Sequence, residues 1–122
     1  MFLMSESIPV ICVNDRNFKQ QVIESTLPVI VVFKKSWWGT AQIMKPILEK
    51  IAKDYAGIIK VFKYNLDENS IISAYYRIDN STTVLFFNKG DVMYKTGIIS
   101  KDEFKKIIGS LLNEPLKSKQ NI

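Results

Sequence analysis

The run of residues 27–33, LPVIVVF, constrains the fold more than any other segment of the chain. It is continuously apolar and rich in β-branched residues, which is typical of a strand covered on both faces. Such a strand needs helices packed on each side of its sheet. We therefore expect an α/β fold with this run in the middle of the sheet.

The rest of the chain alternates short apolar runs with segments of helical periodicity, in the order βαβαβαββα. Further strands are predicted at 9–13, 59–65, 83–87 and 92–96, and helices after Asp15, at 41–56, at 68–76 and from residue 101. Gly90 supplies the positive φ that a tight hairpin turn requires, so the last two strands pair antiparallel. The prediction is a central mixed β-sheet with helices on both faces.

Local signals mark where several elements begin and end. Asp15 is a candidate cap for the first helix, and Ser100 with Glu103 forms a capping box for the last. Pro46 should bend the second helix, and Pro115 should end the ordered domain. A length of 122 residues fits one domain. We therefore predict an N-terminal extension at 1–8, a domain at 9–113 and a flexible tail at 114–122.

Composition excludes several classes of function. The chain has no histidine, which removes imidazole metal sites and Ser/His or Cys/His catalytic pairs. Its single cysteine, Cys12, cannot form an internal disulfide or a CxxC pair. No apolar run approaches the length of a membrane span, and the N-terminus lacks the features of a signal peptide. We expect a cytoplasmic protein, or one of the plastid stroma if organelle-encoded, with no membrane, metal or other cofactor.

Three longer strings carry a resemblance to the thioredoxin family across roughly residues 8–113. The string VIVVFKKSWWGTAQIMKPILEKIAKDY resembles the central strand, the W-C-G-P-C-K turn and the kinked helix of that family. KVFKYNLDEN resembles its third strand, and YRIDNSTTVLFFNKGDVMYKTG resembles its closing hairpin, with Gly90 and Gly97 on the two family glycines. The resemblance implies a thioredoxin fold.

The same alignment implies that the family's chemistry is missing. Trp38 and Ala41 stand where the family has its nucleophilic and resolving cysteines, and Thr40 replaces the proline between them. Val32 falls on the buried aspartate and Thr82 on the cis-proline. Without two sulfurs, neither attack on a disulfide nor resolution of a mixed disulfide is possible within the chain. We therefore expect a protein that is not an enzyme. We also expect the peptide bond before Thr82 to be trans or locally rearranged, since a cis bond before a residue other than proline is costly.

The resemblance also points to a protein-binding role for the degenerate active-site groove. Trp37 falls on a structural tryptophan of the family, whereas Trp38 stands where the family presents its thiol to partners, a suitable place for an interface anchor. The expected partner-binding groove consists of Trp37, Trp38, Gly39, Thr40, Ala41, Ser81, Thr82 and Thr83. The preferred function is a redox-inactive scaffold, adaptor or complex subunit.

Two other functions remain open from the sequence. A protein of thiol-disulfide metabolism could exchange thiols through Cys12, although a lone cysteine in an apolar strand is more often a small buried hydrophobe. Nucleic-acid association could follow from the net charge of +5, but acidic residues interleave with the lysines of the last helix and no aromatic-basic motif accompanies them.

The carboxylates of Asp67, Glu68 and Asp79 lack metal-site spacing and indicate loops and caps. Lys63 matches a family lysine whose acidic partner is absent.

Overall fold

The computed structural model describes the backbone of residues 10–35, 39–79 and 81–120, and their side chains except at 39–41 and 114–120. In chain order the elements are β1 (Ile11–Val13), a short π-helix (Lys19–Ile23), β2 (Val29–Lys34), α1 (Gly39–Asp54), β3 (Lys60–Asn65), α2 (Ile71–Tyr75), β4 (Thr83–Asn88), β5 (Asp91–Thr96) and α3 (Lys101–Gln120). This order is the predicted one.

The five strands form one mixed sheet in the order β1-β3-β2-β4-β5. β2 lies at the centre, parallel to β3 and antiparallel to β4. Its residues from Val29 to Phe33 are fully buried, as expected of a strand with helices on both sides. The prediction of an α/β fold with a central mixed sheet is confirmed.

Each face of the sheet has its own core. On one face, α1 and α3 pack against the strands through Met44, Leu48, Ile51, Phe104, Ile108 and Leu111. On the other face, the π-helix and α2 cover an aromatic cluster in which Phe18, Phe33 and Tyr64 are in ring contact. Because side chains alternate along a strand, consecutive residues of β2 supply the two cores in turn.

The hairpin and the last helix begin as their local signals predict. Lys89 and Gly90 have φ of 53° and 87°, the conformation of a two-residue type I′ turn between β4 and β5. The backbone N–H of Ser100 donates to the Glu103 carboxylate at 3.1 Å, and the N–H of Glu103 donates to the Ser100 hydroxyl at 3.2 Å. This reciprocal pair is the predicted capping box. The helix α3 includes Pro115, whereas the domain boundary at 113 stays a prediction.

Asp15 caps a different helix from the one expected. Its carboxylate accepts hydrogen bonds from the backbone N–H groups at the start of α2, those of Ser70, Ile71 and Ile72, at 3.0–3.1 Å. The π-helix that follows Asp15 has no side-chain cap. The local prediction was therefore wrong, because α2 offers three unpaired donors in one place while the nearer helix offers none to this side chain.

The expectation that Cys12 is a buried hydrophobe is also wrong. Cys12 is exposed, and within β1 only Val13 is buried. The cause is the position of β1 at the edge of the sheet, paired on one side only with β3. An edge strand of three residues is not fully covered by the helices that pack over the centre of the sheet.

Candidate functional site

One edge of the sheet, formed by the ends of its strands rather than by an outer strand, contains the end of β2 and the start of β4. The chain that leads into α1 leaves the sheet there. Phe33 pairs with Thr83 in the antiparallel ladder, so the first residue of β4 lies beside the last residues of β2. From Lys34 the chain continues toward α1, whose backbone becomes helical at Gly39. The predicted groove residues at 39–41 and 81–83 therefore belong to segments that leave or enter the sheet at the same edge.

Thr82 and Thr83 are buried at this edge, and Ser81 is exposed. The hydroxyl of Thr83 donates to the carbonyl oxygen of Ser81 at 3.1 Å, and the N–H of Ser81 donates to the carboxylate of Asp79 at 3.1 Å. The hydroxyl oxygen of Thr82 is buried and has no hydrogen-bond partner within the described part of the chain. A buried hydroxyl without a partner is uncommon and costs free energy, and this distinguishes Thr82 from its neighbours at this edge.

The backbone of Gly97 runs beside Thr82. A Cβ atom on Gly97 would lie 4.0 Å from the carbonyl oxygen of Thr82, which is ordinary van der Waals contact. No cis peptide bond occurs in the described ranges, which include the bond between Ser81 and Thr82. The prediction of a trans bond at this position is confirmed, and its physical reason is the cost of a cis bond before a residue other than proline.

Two central residues of the predicted groove, Trp37 and Trp38, lie outside the described residues, as do the side chains of Gly39, Thr40 and Ala41. The structure therefore gives only the backbone of the first turn of α1 at this point. Their role as a partner-binding surface stays a prediction.

Beneath the groove, Val32 is fully buried in the core under α1. It pairs with Lys63 on β3, and Lys63 pairs in turn with Cys12 on β1. Residues that pair in this way across neighbouring strands lie on the same face of the sheet. No carboxylate of β2 lies beside Lys63, since β2 carries only apolar residues and Lys34.

The pairing of Cys12 with Lys63 and of Lys63 with Val32 also gives the distance between Cys12 and the central strand β2. Cys12 and Val32 are separated by β3, that is by two strand spacings, or about 10 Å across the sheet. Cys12 therefore lies on the far edge strand rather than at the start of α1. A thiol there lacks the free backbone N–H groups of a helix N-terminus, which the family's chemistry uses to favour a thiolate.

A polar network that sequence reasoning missed lies on the opposite face. The hydroxyl of Tyr64 donates to Asp15 at 2.6 Å and accepts from the N–H of Ser73 at 3.3 Å. Burial would raise the pKa of the Asp15 carboxyl, but the hydrogen bonds from Tyr64 and from three backbone N–H groups hold that pKa below its ordinary value. Burial and the bond to Asp15 raise the pKa of Tyr64 to about 12. Because the Asp15 carboxylate oxygens are engaged as acceptors in capping α2, this network is suited to holding elements together rather than to proton transfer.

Other candidate sites carry less. Among the described residues, no group of three His, Cys, Asp or Glu side chains is placed to hold a metal ion. In the same residues, no helix combines the length and the apolar character that crossing a membrane requires. On the lysine-bearing face of α3, Lys105 forms an ion pair with Asp54 at 3.6 Å, which reduces the positive charge of that face.

Comparison with known proteins agrees with this architecture. The family model described as Thioredoxin matches residues 9–110. A thioredoxin of Acidithiobacillus ferridurans is 36% identical over 110 residues, covering 89% of this chain and all of that protein. A thioredoxin of Buchnera aphidicola is 35% identical over 105 residues, covering 85% of this chain and 97% of that protein.

A third relative, the chloroplastic M-type thioredoxin of Spinacia oleracea, is 42% identical over 79 residues, which cover 65% of this chain and 44% of the spinach protein. The chain thus spans less than half the length of that relative. The two bacterial relatives, by contrast, are matched over at least 97% of their own length. On the family match, the full-length relatives and the mixed sheet with β2 at its centre, the chain belongs to the thioredoxin family.

Proposed function

We propose that this chain is a redox-inactive member of the thioredoxin family that binds another protein through the groove at the start of α1 and β4. One observation carries the proposal: the positions that resemble the family's two cysteines hold Trp38 and Ala41. Thiol-disulfide exchange requires an attacking sulfur and a second sulfur to release the mixed disulfide. The chain has neither at this place.

The surroundings of the groove support the same proposal. The only cysteine is on the far edge strand, and Val32 occupies the core position beneath the groove. Groups that would assist proton transfer to a departing thiolate are therefore missing together with the thiols. A protein that keeps the fold of its family without these groups retains the family's partner surface as its most specific feature.

The edge formed by the strand ends, at the start of β4, is suited to binding an extended segment of another protein. Thr82 enters β4 with a buried, unpaired hydroxyl, and Gly97 leaves the neighbouring backbone without a side chain to cover it. An aromatic residue at position 38 adds the kind of large, flat side chain that is enriched at interface centres. The partner is another protein, and the role is that of a scaffold, adaptor or complex subunit.

The chemical half of the proposal is tested by dithiol-driven reduction of a protein disulfide. We expect no turnover above background for the wild type. The double variant Trp38→Cys with Ala41→Cys should recover part of the activity, because both sulfurs then stand at the start of α1. Trp38→Cys alone is the matched control and should form mixed disulfides without turnover. Robust turnover by the wild type would overturn the proposal.

The binding half is tested by affinity capture with the wild type and Trp38→Ala side by side. Truncating a tryptophan at an interface centre costs about 2 kcal/mol of binding, or about thirtyfold in affinity. We expect partners that bind the wild type and are lost from Trp38→Ala, with thermal midpoints nearly equal. Partners retained equally by both proteins would exclude the groove as the interface.

A second function is favoured by the exposure of Cys12. An accessible thiol could form a mixed disulfide with a partner's thiol and so link the chain to redox homeostasis. Cys12→Ser separates this function from the first, since it would abolish such exchange and leave binding through the groove intact. Nucleic-acid association is distinguished by steep weakening with salt, which groove binding to a protein would not show. Location in the cytoplasm, or in the plastid stroma if the chain is organelle-encoded, is proposed with either function and is testable by fractionation.

A further inference from the structure

A cavity of about 180 Å³ lies under α1, on the face of the sheet that carries Val32. Val32 and Met44 form part of its apolar lining, and both are almost completely buried. Its described lining comes from β2, β3, α1 and Val10, and includes no residue of β4. Of these lining residues, the proposed function uses only Val32.

Three lysines from three different elements line the cavity. Lys34 comes from the end of β2, Lys63 from β3 and Lys45 from α1. The side chains of Lys34 and Lys63 are half-buried, and that of Lys45 is exposed. Lys63 pairs with Val32, and Lys34 lies two residues beyond Val32 on β2, so Lys34 and Lys63 are on the same face of the sheet. Lys45 belongs to α1, the helix that packs on that face. The three lysine side chains thus contribute to the lining of one cavity.

The described side chains that line this cavity carry a net positive charge. Its one acidic lining residue is Glu49, so the side chains carry three positive charges against one negative charge. Within the described ranges, the ion pairs of the protein involve Asp54 and Glu24 and none of the three cavity lysines. Like charges that outnumber the opposite charges near them repel one another, and a bound anion would relieve that repulsion.

We propose that this cavity binds a small phosphate-bearing anion, either inorganic phosphate or the phosphate group of a small metabolite. Pockets for drug-sized ligands measure roughly 300–1,000 Å³, so the smaller volume here suits a single anionic group with little attached to it. Lysine binds phosphate as a mobile point charge with up to three donors, and the amide of Gln42 on the same lining adds neutral donors. Lys34, Lys45 and Lys63 would hold the phosphate oxygens, with Val32 as the apolar floor.

The test is a titration of the isotope-labelled full chain with sodium phosphate, followed by amide chemical shifts at an ionic strength kept constant with chloride. We expect saturable shifts confined to the ends of β2 and β3 and to α1. A parallel titration with glycerol phosphate distinguishes the source of the group. Tighter binding than with inorganic phosphate assigns the site to a metabolite, and equal or weaker binding assigns it to free phosphate.

Variants decide whether the cavity is responsible. Lys63→Gln should weaken phosphate binding about tenfold, the scale of one charge-assisted hydrogen bond. Glu49→Gln should strengthen it, because it removes the only negative charge of the lining. Lys106→Gln, an exposed change of equal charge on α3, is the control and should leave the affinity unchanged.

Several results would overturn the proposal. Shifts that do not saturate, or that spread over all lysine-bearing surfaces, would show only screening by salt. Equal affinities of Lys63→Gln and Lys106→Gln would exclude the cavity as the site. Loss of binding through misfolding is recognised from the amide spectrum of each variant before phosphate is added, and Glu49→Gln tests the site by a gain of affinity. Neither outcome depends on the protein-binding groove, so the two proposals stand or fall separately.

Discussion

Removing the carboxylate of Asp15 should destabilise the fold more than its position near the surface of a loop suggests. The side chain accepts four hydrogen bonds, one from Tyr64 and three from the backbone at the start of α2. Through them it joins the loop after β1 to β3 and to α2. Asp15→Ala therefore opens a tertiary connection as well as a helix cap.

The magnitude follows from these contacts. Replacing a helix cap by alanine costs about 0.5–2 kcal/mol, and leaving the O–H donor of the buried Tyr64 without its acceptor costs about 1–3 kcal/mol. We expect Asp15→Ala to lower the free energy of unfolding by about 3 kcal/mol, which for a chain of this size corresponds to about 10 °C in thermal midpoint. Asp15→Asn keeps the shape and one acceptor, and should cost about half as much.

The pH dependence tests the cause. The pKa of Asp15 is lowered in the folded protein, so its contribution is present above the unfolded pKa and is lost as the pH falls through the folded value. The stability difference between wild type and Asp15→Asn should therefore shrink as the pH is lowered from about 7 to about 2. The chain has no histidine, so few other groups titrate between about pH 5 and 8.

The assay is urea unfolding followed by circular dichroism at several pH values, for wild type, Asp15→Asn, Tyr64→Phe and the double variant. Residues that share one hydrogen-bond network show coupling energies of about 0.5–3 kcal/mol in such a cycle. Additive effects of the two substitutions, or a difference from Asp15→Asn that does not change with pH, would refute the reasoning.

Three further outcomes are expected from the same unfolding assay. Gly90→Ala should destabilise by about 1–3 kcal/mol, because a Cβ there would lie 2.9 Å from the carbonyl oxygen of Ile23 at a φ of +87°. Gly109→Ala, in α3 with nothing within 4 Å, should instead stabilise by about 0.5–1 kcal/mol, and a loss there would contradict the open space seen in the structure. Ser100→Ala should cost about 1 kcal/mol by removing the acceptor for the N–H of Glu103, and an unchanged midpoint would show that the capping box is dispensable.

The raised pKa of Tyr64 predicts how the free energy of unfolding decreases at alkaline pH. Its pKa is raised to about 12, so its contribution is complete below the unfolded value near 10 and is lost as the pH rises through the folded value. Tyr64→Phe should be less stable at neutral pH and should lose less stability in alkali. A wild type and variant with parallel alkaline limbs would exclude this origin.

Signals contained in a few neighbouring residues were sufficient for much of the fold. The Lys89-Gly90 turn and the Ser100 capping box each depend on contacts within one or two turns of chain, and the run that forms β2 is recognised from its own continuous apolar residues. Such elements can be recognised from a short stretch of sequence, because burial on both faces, positive φ and unpaired N–H groups each require particular residue types. These elements appear in the structure where the sequence predicts them.

Asp15 and Cys12 show where such reasoning stops. The partners of the Asp15 carboxylate lie 49–57 positions further along the chain, and no local pattern connects them. The burial of Cys12 depends on whether a helix reaches the edge of the sheet, which is decided by the packing of α1 rather than by the apolar run around the cysteine. In both cases the energetic decision is tertiary, so the sequence shows a residue type without showing its surroundings.

The candidate site divides in the same way. Resemblance to a family could identify Thr82 and Val32 as replaced positions, since alignment needs only order and spacing along the chain. It could not show that Lys34 and Lys45 come together with Lys63, because these lysines lie on three elements and match no motif. The cavity is a property of the assembled sheet and helix, and only their geometry reveals its charge.

Val32 suits the core of this fold better than a carboxylate at the same position would. It is fully buried in the core and lies between Lys63 on one neighbouring strand and Val84 on the other. A carboxylate at this position would have to remain charged in apolar surroundings or take up a proton, and either alternative costs free energy that a valine avoids. Once the thiols that such a carboxylate serves are gone, the apolar residue is the more stable choice for the core. With valine at position 32, β2 provides no counter-charge for Lys63, and the described lining of the cavity that we propose for an anion carries three lysines against the single carboxylate of Glu49.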